Sequence, residues 1–365
     1  MPDLGREAME RYLGLLLGKT VHVLSLTLLG ETDGDDAKAY GYGLPVRIDF
    51  QPEGEPCRSA VFHTMVANQF GHDHMSDRAQ ILLGQYRTFN RLPRHVGALD
   101  VGTFQNDGSL ISLGEAEEFC LLTEYAEGTP YAKDLERLLN TRVVADLDRA
   151  RADSLCDYLV EIHKMPGPEG DLGASLYKRR IRELVGHGEC IMGLTDSYPQ
   201  HTRFPATLLE EIEHQCVHWR WRVKSLTHRL RQVHGDFHPW NILFREGVDF
   251  GLLDRSRGEW GEPADDVTCL TLNYLFFSLQ QSGRFEDPWK SLFERFWMRY
   301  LEANRDREIL KVAAPFFAFR GLVLASPVWY PALSDDVRGK LLAFARAVLA
   351  KDEFDPAQTR AYCDA

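Results

Sequence analysis

Residues 234–241 read His-Gly-Asp-Phe-His-Pro-Trp-Asn, and thirteen residues beyond Asn241 a second acid, Asp254, follows Leu252-Leu253. A short apolar run leads into each acid, which predicts that Asp236, Asn241 and Asp254 stand at the ends of short strands or in the turns beside them. Three oxygen-bearing side chains then converge: one carboxylate beside an acceptor hydroxyl, and an amide with a second carboxylate to hold a magnesium ion. Phosphoryl transfer asks for this set, because the protein there mainly positions reactants and neutralises charge. Each acid alone would serve equally well as a helix cap or turn carboxylate; the spacing of all three is what points to chemistry.

Composition narrows the partners. The chain has 365 residues, enough for one large or two moderate domains. With 42 basic and 54 acidic residues its formal net charge is −12, and no basic tail or stripe exists to collect nucleic-acid phosphates. A small-molecule partner is expected instead, and an acidic protein suits a cationic one. The seven cysteines are scattered and include no CxxC pair, which fits a reduced, cytoplasmic setting. No signal peptide is read. Neither apolar stretch reads as a membrane span: 12–29 carries Lys19 and His22, and 313–329 carries Arg320, Pro315 and Pro327.

Along the chain, a helix is expected over 3–17 and a strand over 21–29. A polar, glycine-containing connection over 30–43, a strand over 44–51, a turn over 52–56 and a strand over 57–66 follow. A helix over 76–92 takes Ser76 as N-cap and puts Ile81, Leu82, Tyr86, Phe89 and Leu92 on one side. Two more strands are expected at 96–104 and 118–124, then a linker over 125–130. Helical patterns dominate afterwards: about 144–164, most of 168–231, and 265–282, 288–304, 306–325 and 334–351.

The motif has the kinase catalytic-loop spacing of His-x-Asp with Asn five residues beyond the Asp. In its details (His-Gly-Asp, then His-Pro, then Asn) it resembles the aminoglycoside phosphotransferase and choline kinase superfamily more than protein kinases. The resemblance implies an α+β, protein-kinase-like two-lobe fold. Residues 1–125 would form a β-rich, nucleotide-binding N-terminal lobe, and 126–365 a mostly helical lobe for catalysis and acceptor binding. By position, Asp236 matches the catalytic base, and Asn241 and Asp254 the ligands of magnesium. His234 matches a residue that packs beneath the catalytic loop, and Asp266 an acid at a helix start that caps the helix or tethers the loop. The backbone at Glu124 and Ala126 would pair with the adenine edge. His238 either faces the acceptor or braces the loop, and Trp240 is a further acceptor-side residue. His163 reads as a satisfied core or capping histidine.

The sequence departs from the family pattern in its first lobe. Strand alternation puts His63, in Ala60-Val61-Phe62-His63, where the family carries a phosphate-anchoring lysine. Imidazole is shorter and only partly charged near neutrality; either it still hydrogen-bonds a phosphate, or Arg58 or Lys38 substitutes for the lysine. No partner glutamate stands on the next helix, and residues 31–36 carry four acids beside the glycine loop. His72-Asp73-His74 lacks matched metal partners, and His214 with His218 has the i, i+4 spacing of a zinc pair without a third ligand.

The reading is therefore an ATP- and magnesium-dependent phosphotransferase acting on the hydroxyl of a small molecule. Its alternatives are a pseudokinase that binds nucleotide without turnover, and an enzyme that transfers AMP. The acceptor and the oligomeric state are not legible.

Overall fold

A computed structural model describes residues 4–29, 43, 45–199 and 204–364. Contacts divide the chain into two units, Met1–Thr123 and Glu124–Ala365. The architecture is α+β, with strands concentrated in the first unit and helices in the second.

The first unit begins with helix α1 (Arg6–Leu17), stopped by Gly18 in the left-handed conformation at φ 64°. Strands β1 (Val21–Leu28), β2 (Val46–Pro52) and β3 (Arg58–Phe62) then form an antiparallel sheet in sequence order. Period-2 alternation aims Val21, Val23, Ile48 and Phe50 inward against Met9, Tyr12 and Leu13 of α1, making a small core. Helix α2 (Met75–Phe89) follows, then the hairpin of β4 (Gly102–Phe104) and β5 (Leu110–Ser112).

Four expectations change here. Strand β3 ends at Phe62, so 63–66 lie beyond the sheet. Helix α2 starts one residue earlier than read, and its cap is His74, whose backbone N–H is held by Asp77 at 2.7 Å, not Ser76. None of its residues is fully buried, and Leu92 is exposed. The strand expected over 118–124 does not form. Gly108, at φ 81°, closes a tight Asp107-Gly108 turn that pairs β4 with β5 instead. Leu121 and Leu122 are 88% and 96% exposed as a result. The connection at 30–42, with Lys38 and its acids, lies outside the described residues.

The second unit opens with β6 (Thr129–Pro130), which pairs with Phe244 and Leu243, so the expected linker ends as an edge strand. Gly128, at φ 140°, is needed there: a Cβ would stand 2.9 Å from Leu243 Cβ. Helices α3 (Tyr131–Thr141), α4 (Asp146–His163), α5 (Gly170–Gly186), α6 (Ile191–Ser197) and α7 (Ala206–Val223) come next. Four short strands follow: β7 (Arg231–Gln232), β8 (Ile242–Phe244), β9 (Phe250–Leu252) and β10 (Trp260–Gly261). They form two sheets, β6-β8-β9 and β10-β7. The chain finishes with α8 (Pro263–Ser282), α9 (Trp289–Asn304), α10 (Ala313–Ala325), α11 (Asp335–Leu349) and α12 (Thr359–Cys363).

Helices α8 and α10 are buried on nearly all sides and form the centre of one large core. The single helix expected over 306–325 is broken: a 3-10 turn, Arg307–Lys311, precedes α10. Pro315 accounts for the break, because it has no N–H to donate backwards and is tolerated only in the first turn. No described helix is long and apolar enough to cross a membrane.

Candidate active site

The site is built on the loop from β7 to β8 and on the β8–β9 hairpin. Gly235 takes φ 87°, and a Cβ there would meet Arg257 Cβ at 3.2 Å, so glycine suits both the turn and the space. The N–H groups of His234 and Gly235 donate to the two oxygens of Asp266, at 2.8 and 2.7 Å. Asp266 is fully buried in the first turn of α8 and thereby ties loop to helix. His163, at the end of α4, places Nε2 at 3.1 Å from Asp266 Oδ2 and Nδ1 at 2.8 Å from the Tyr300 hydroxyl. Asn304 donates to that hydroxyl at 2.9 Å, which directs its proton to Nδ1 and leaves Nε2–H for Asp266. His163 is thus a satisfied core histidine. His234 is buried too, and its Nδ1 accepts the N–H of Asp236 at 3.2 Å.

Around Asp236 the loop is closed by short local bonds. The Asp236 carbonyl accepts the His238 N–H at 2.9 Å and the Asn241 side-chain amide at 3.1 Å, and the His238 carbonyl accepts the Asn241 N–H at 2.9 Å. Ala132 N–H, from the start of α3, donates to the Pro239 carbonyl at 3.1 Å. The Asn241 amide nitrogen is thereby engaged, and its Oδ1 has no hydrogen-bond partner among the described residues.

The hairpin decides where the second acid goes. Ile242 pairs with Leu252, and Leu253 N–H donates to the Asn241 carbonyl at 2.9 Å. Asn241 and Asp254 therefore stand at the same end of the hairpin. Asp254 is exposed and takes φ 52°, a left-handed conformation that costs a non-glycine residue about 1 kcal/mol and that Asp tolerates better than most. Its carboxylate has no hydrogen-bond or ion-pair partner among the described residues. A cavity of about 240 Å³ adjoins it, lined also by Tyr158, His234, Leu252 and Arg255.

Electrostatics hold Asp236 ionised. Burial pushes its carboxyl up, but Arg320, then Arg257 and His238, more than offset this, and the net shift is below the usual carboxylate value. Arg320 Nη1 donates to Asp236 Oδ1 at 2.5 Å, while His238 Nε2 lies 3.6 Å from Oδ2. Burial lowers the His238 pKa despite the pull of Asp236, so this ring is neutral at physiological pH. Trp240 N–H donates to His238 Nδ1 at 3.2 Å, and the Trp240 indole lies stacked on Phe277 and edge-on to Tyr330, each at 6.3 Å. Trp240 is partly exposed on this side of the loop.

The first-unit residues are placed separately. His63 is exposed one residue beyond β3, and Arg58, at its start, lies 3.8 Å from Glu55. Glu124 is exposed and Ala126 half-buried, in a segment without strand pairing. His74 caps α2, and among the described residues no group of three His, Cys, Asp or Glu could hold a metal.

Sequence reasoning missed the cations beneath the loop. Arg320 Nη2 also reaches the Gly235 carbonyl at 2.9 Å and Asp265 Oδ1 at 2.7 Å, and Arg180 holds Asp265 Oδ2 at 2.6 Å. The available signal was Arg320 itself, one cation inside an apolar helix, which is almost never buried unpaired.

Comparison with known proteins adds the family. The chain resembles the amicoumacin kinase hAmiN, solved in complex with AMP-PNP, Ca2+ and Ami, at 14% identity over 91% of both chains, with a TM-score of 0.42. It resembles the aminoglycoside phosphotransferase APH(3'')-Id from Streptomyces rimosus ATCC10970 at 19% identity over 52% of this chain and 67% of that one, with a TM-score of 0.31. A glucosamine kinase is similar at 17% identity over 64% of this chain and 56% of that one, TM-score 0.35. Likenesses at these scores support no transfer of residue roles. No curated protein matches. The sequence pattern described as the phosphotransferase enzyme family (APH) matches residues 92–310, more than half of the chain. The chain belongs to the phosphotransferase enzyme family.

Proposed function

We propose that the protein transfers the γ-phosphoryl group of ATP to a hydroxyl of a small molecule, with magnesium. The observation that carries this reading is the gathering of Asp236, Asn241 and Asp254 around one loop and one end of the β8–β9 hairpin. Asp236 is ionised, and its Oδ2 is the oxygen left to accept a proton. The acceptor oxygen forms a bond to the γ-phosphorus, the bond from that phosphorus to the bridging oxygen breaks, and ADP leaves with the electron pair. The hydroxyl proton goes to Asp236.

The Asn241 Oδ1 and the unpaired Asp254 carboxylate are hard oxygen donors of the kind magnesium takes, alongside phosphate oxygens and water. Magnesium, when bound there, supplies neutralisation of the phosphate charge. Asp266 and His234 keep the loop in place from below. Trp240, Tyr330 and neutral His238 border the acceptor, and stacking or cation–π contact with the indole would orient it.

Residues 1–125 are proposed to carry the nucleotide, with backbone groups at Glu124 and Ala126 on the adenine edge and His63 toward the phosphates. Setting is proposed to be the cytoplasm, in keeping with seven free cysteines. A second reading, nucleotide binding without turnover, is favoured by one feature of the sequence: the stretch Ala60-Val61-Phe62-His63 carries no lysine to anchor the phosphates. ATP consumption measured over a panel of hydroxylated acceptors tests both. Magnesium-dependent ADP release with a phosphorylated product supports transfer; ATP binding with no product from any acceptor supports the second reading. A product heavier by an AMP unit contradicts both.

A further inference from the structure

Arg320 belongs to α10, 84 residues beyond Asp236 and outside the residues 92–310 that match the family. It is buried, and its guanidinium spans three acceptors: Asp236 Oδ1 at 2.5 Å, the Gly235 carbonyl at 2.9 Å and Asp265 Oδ1 at 2.7 Å. Burying a cation among apolar helices is costly unless it is paired, so the question is what this one holds. Asp265 does not depend on it alone, because Arg180 already donates to Asp265 Oδ2 at 2.6 Å. Among the described residues the Asp236 side chain and the Gly235 carbonyl have no comparable replacement: Arg257 acts on Asp236 through its charge without a hydrogen bond to it, and His238 Nε2 stands 3.6 Å from Oδ2. The planar fork can serve a carboxylate and a carbonyl in one fixed geometry, which a lysine cannot do.

Resting on the phosphotransferase reading, we propose that Arg320 is a positioning residue. Its fork takes Asp236 Oδ1 and the Gly235 carbonyl together, which fixes the carboxylate rotamer so that Oδ2 alone faces the acceptor hydroxyl. The Asp265–Arg180 pair anchors the guanidinium from behind. Arg320 touches neither acceptor nor nucleotide in this account; it acts through Asp236.

The test compares wild type with Arg320→Lys and Arg320→Met, using ATP with magnesium and water as the acceptor. A misplaced base costs about 100-fold in rate; a drop of that size in kcat is expected for both variants, with KM for ATP unchanged. Guanidinium ion added to Arg320→Ala restores part of the rate and does nothing for Asp236→Ala. Wild-type kcat in Arg320→Lys overturns the proposal, since charge alone would then suffice. Should wild type itself show no turnover with water or with any acceptor in the panel, the phosphotransferase reading fails, and a crystal structure of Arg320→Met decides the positioning claim by itself. Asp236 turned from its Gly235-side rotamer, or split between two, supports it; the same single rotamer overturns it.

Discussion

Two sets of carboxylates stand within a few residues of the same loop, and they are treated in opposite ways. Glu262, Asp265 and Asp266 are fully buried and fully engaged: Arg229 holds Glu262 at 2.6 and 2.8 Å, Arg180 and Arg320 hold Asp265, and two backbone N–H groups with His163 hold Asp266. Asp254, by contrast, is exposed, left-handed and unpaired among the described residues. Asp236 is intermediate, with one oxygen taken by Arg320 and the other facing His238 across 3.6 Å. The buried acids have spent their hydrogen-bonding capacity on the fold, so they set geometry. Capacity left over at Asp236, Asn241 and Asp254 is capacity for a ligand.

Substitutions break this comparison most sharply at Asp236. Asp236→Asn keeps the shape and removes the proposed base; turnover is expected to fall by about 10²–10⁴-fold, with ATP affinity by calorimetry close to wild type. Asp266→Ala comes next. It strands two buried backbone donors and His163, and about 3 kcal/mol of stability should be lost in a urea titration, with activity falling as the loop loosens. Asp254→Asn should do the reverse: Asn tolerates the left-handed conformation, so the melting temperature stays put while the magnesium concentration needed for half-maximal activity rises.

Acid sharpens the same contrast. Burial raises the Asp265 pKa, but Arg320, Arg180 and Arg257 together bring it below the usual carboxylate value. A group depressed on folding contributes stability that is present above its unfolded pKa of about 3.9 and lost as pH falls through the lower folded value. Circular dichroism should therefore show the fold intact at pH 5 and the Asp265 contribution disappearing below about pH 4. In Asp265→Asn that pH dependence is expected to flatten. The smallest effect is far from the loop, where Arg295–Asp153 and Arg299–Asp157 join α9 to α4 on the surface through bonds of 2.6 and 2.7 Å. A double-mutant cycle on either pair should give under about 1 kcal/mol, weakening with salt.

What the sequence disclosed follows the range of the forces involved. Helices α4, α8, α9 and α11 of the second unit were legible within a few residues, because a 3.6-residue apolar period is a local signal repeated over several turns, whereas α3 and α12 were not read. Local signals also located Asp236, Asn241 and Asp254, through their spacing and the apolar runs beside them. Failure came where structure depends on a choice between partners. Residues 118–124 have strand composition, yet β4 pairs with β5 through the turn at Gly108. Residues 306–325 have one helical pattern, broken by a single missing N–H at Pro315. The cations under the loop were out of reach for a different reason. Arg180 and Arg320 lie 85 and 55 residues from Asp265, and only the tertiary fold says which acids they meet.

The most direct test of the account is a single-turnover experiment with enzyme in excess of ATP, magnesium and an active acceptor, run on wild type and on Asp236→Asn after calorimetry has matched their ATP occupancy. The account predicts phosphorylated acceptor and ADP in equal amounts from wild type, and almost none from the variant on the same timescale. Equal product from both would contradict it, because the carboxylate around which the loop, Asp266 and Arg320 are arranged would then have no part in the chemistry.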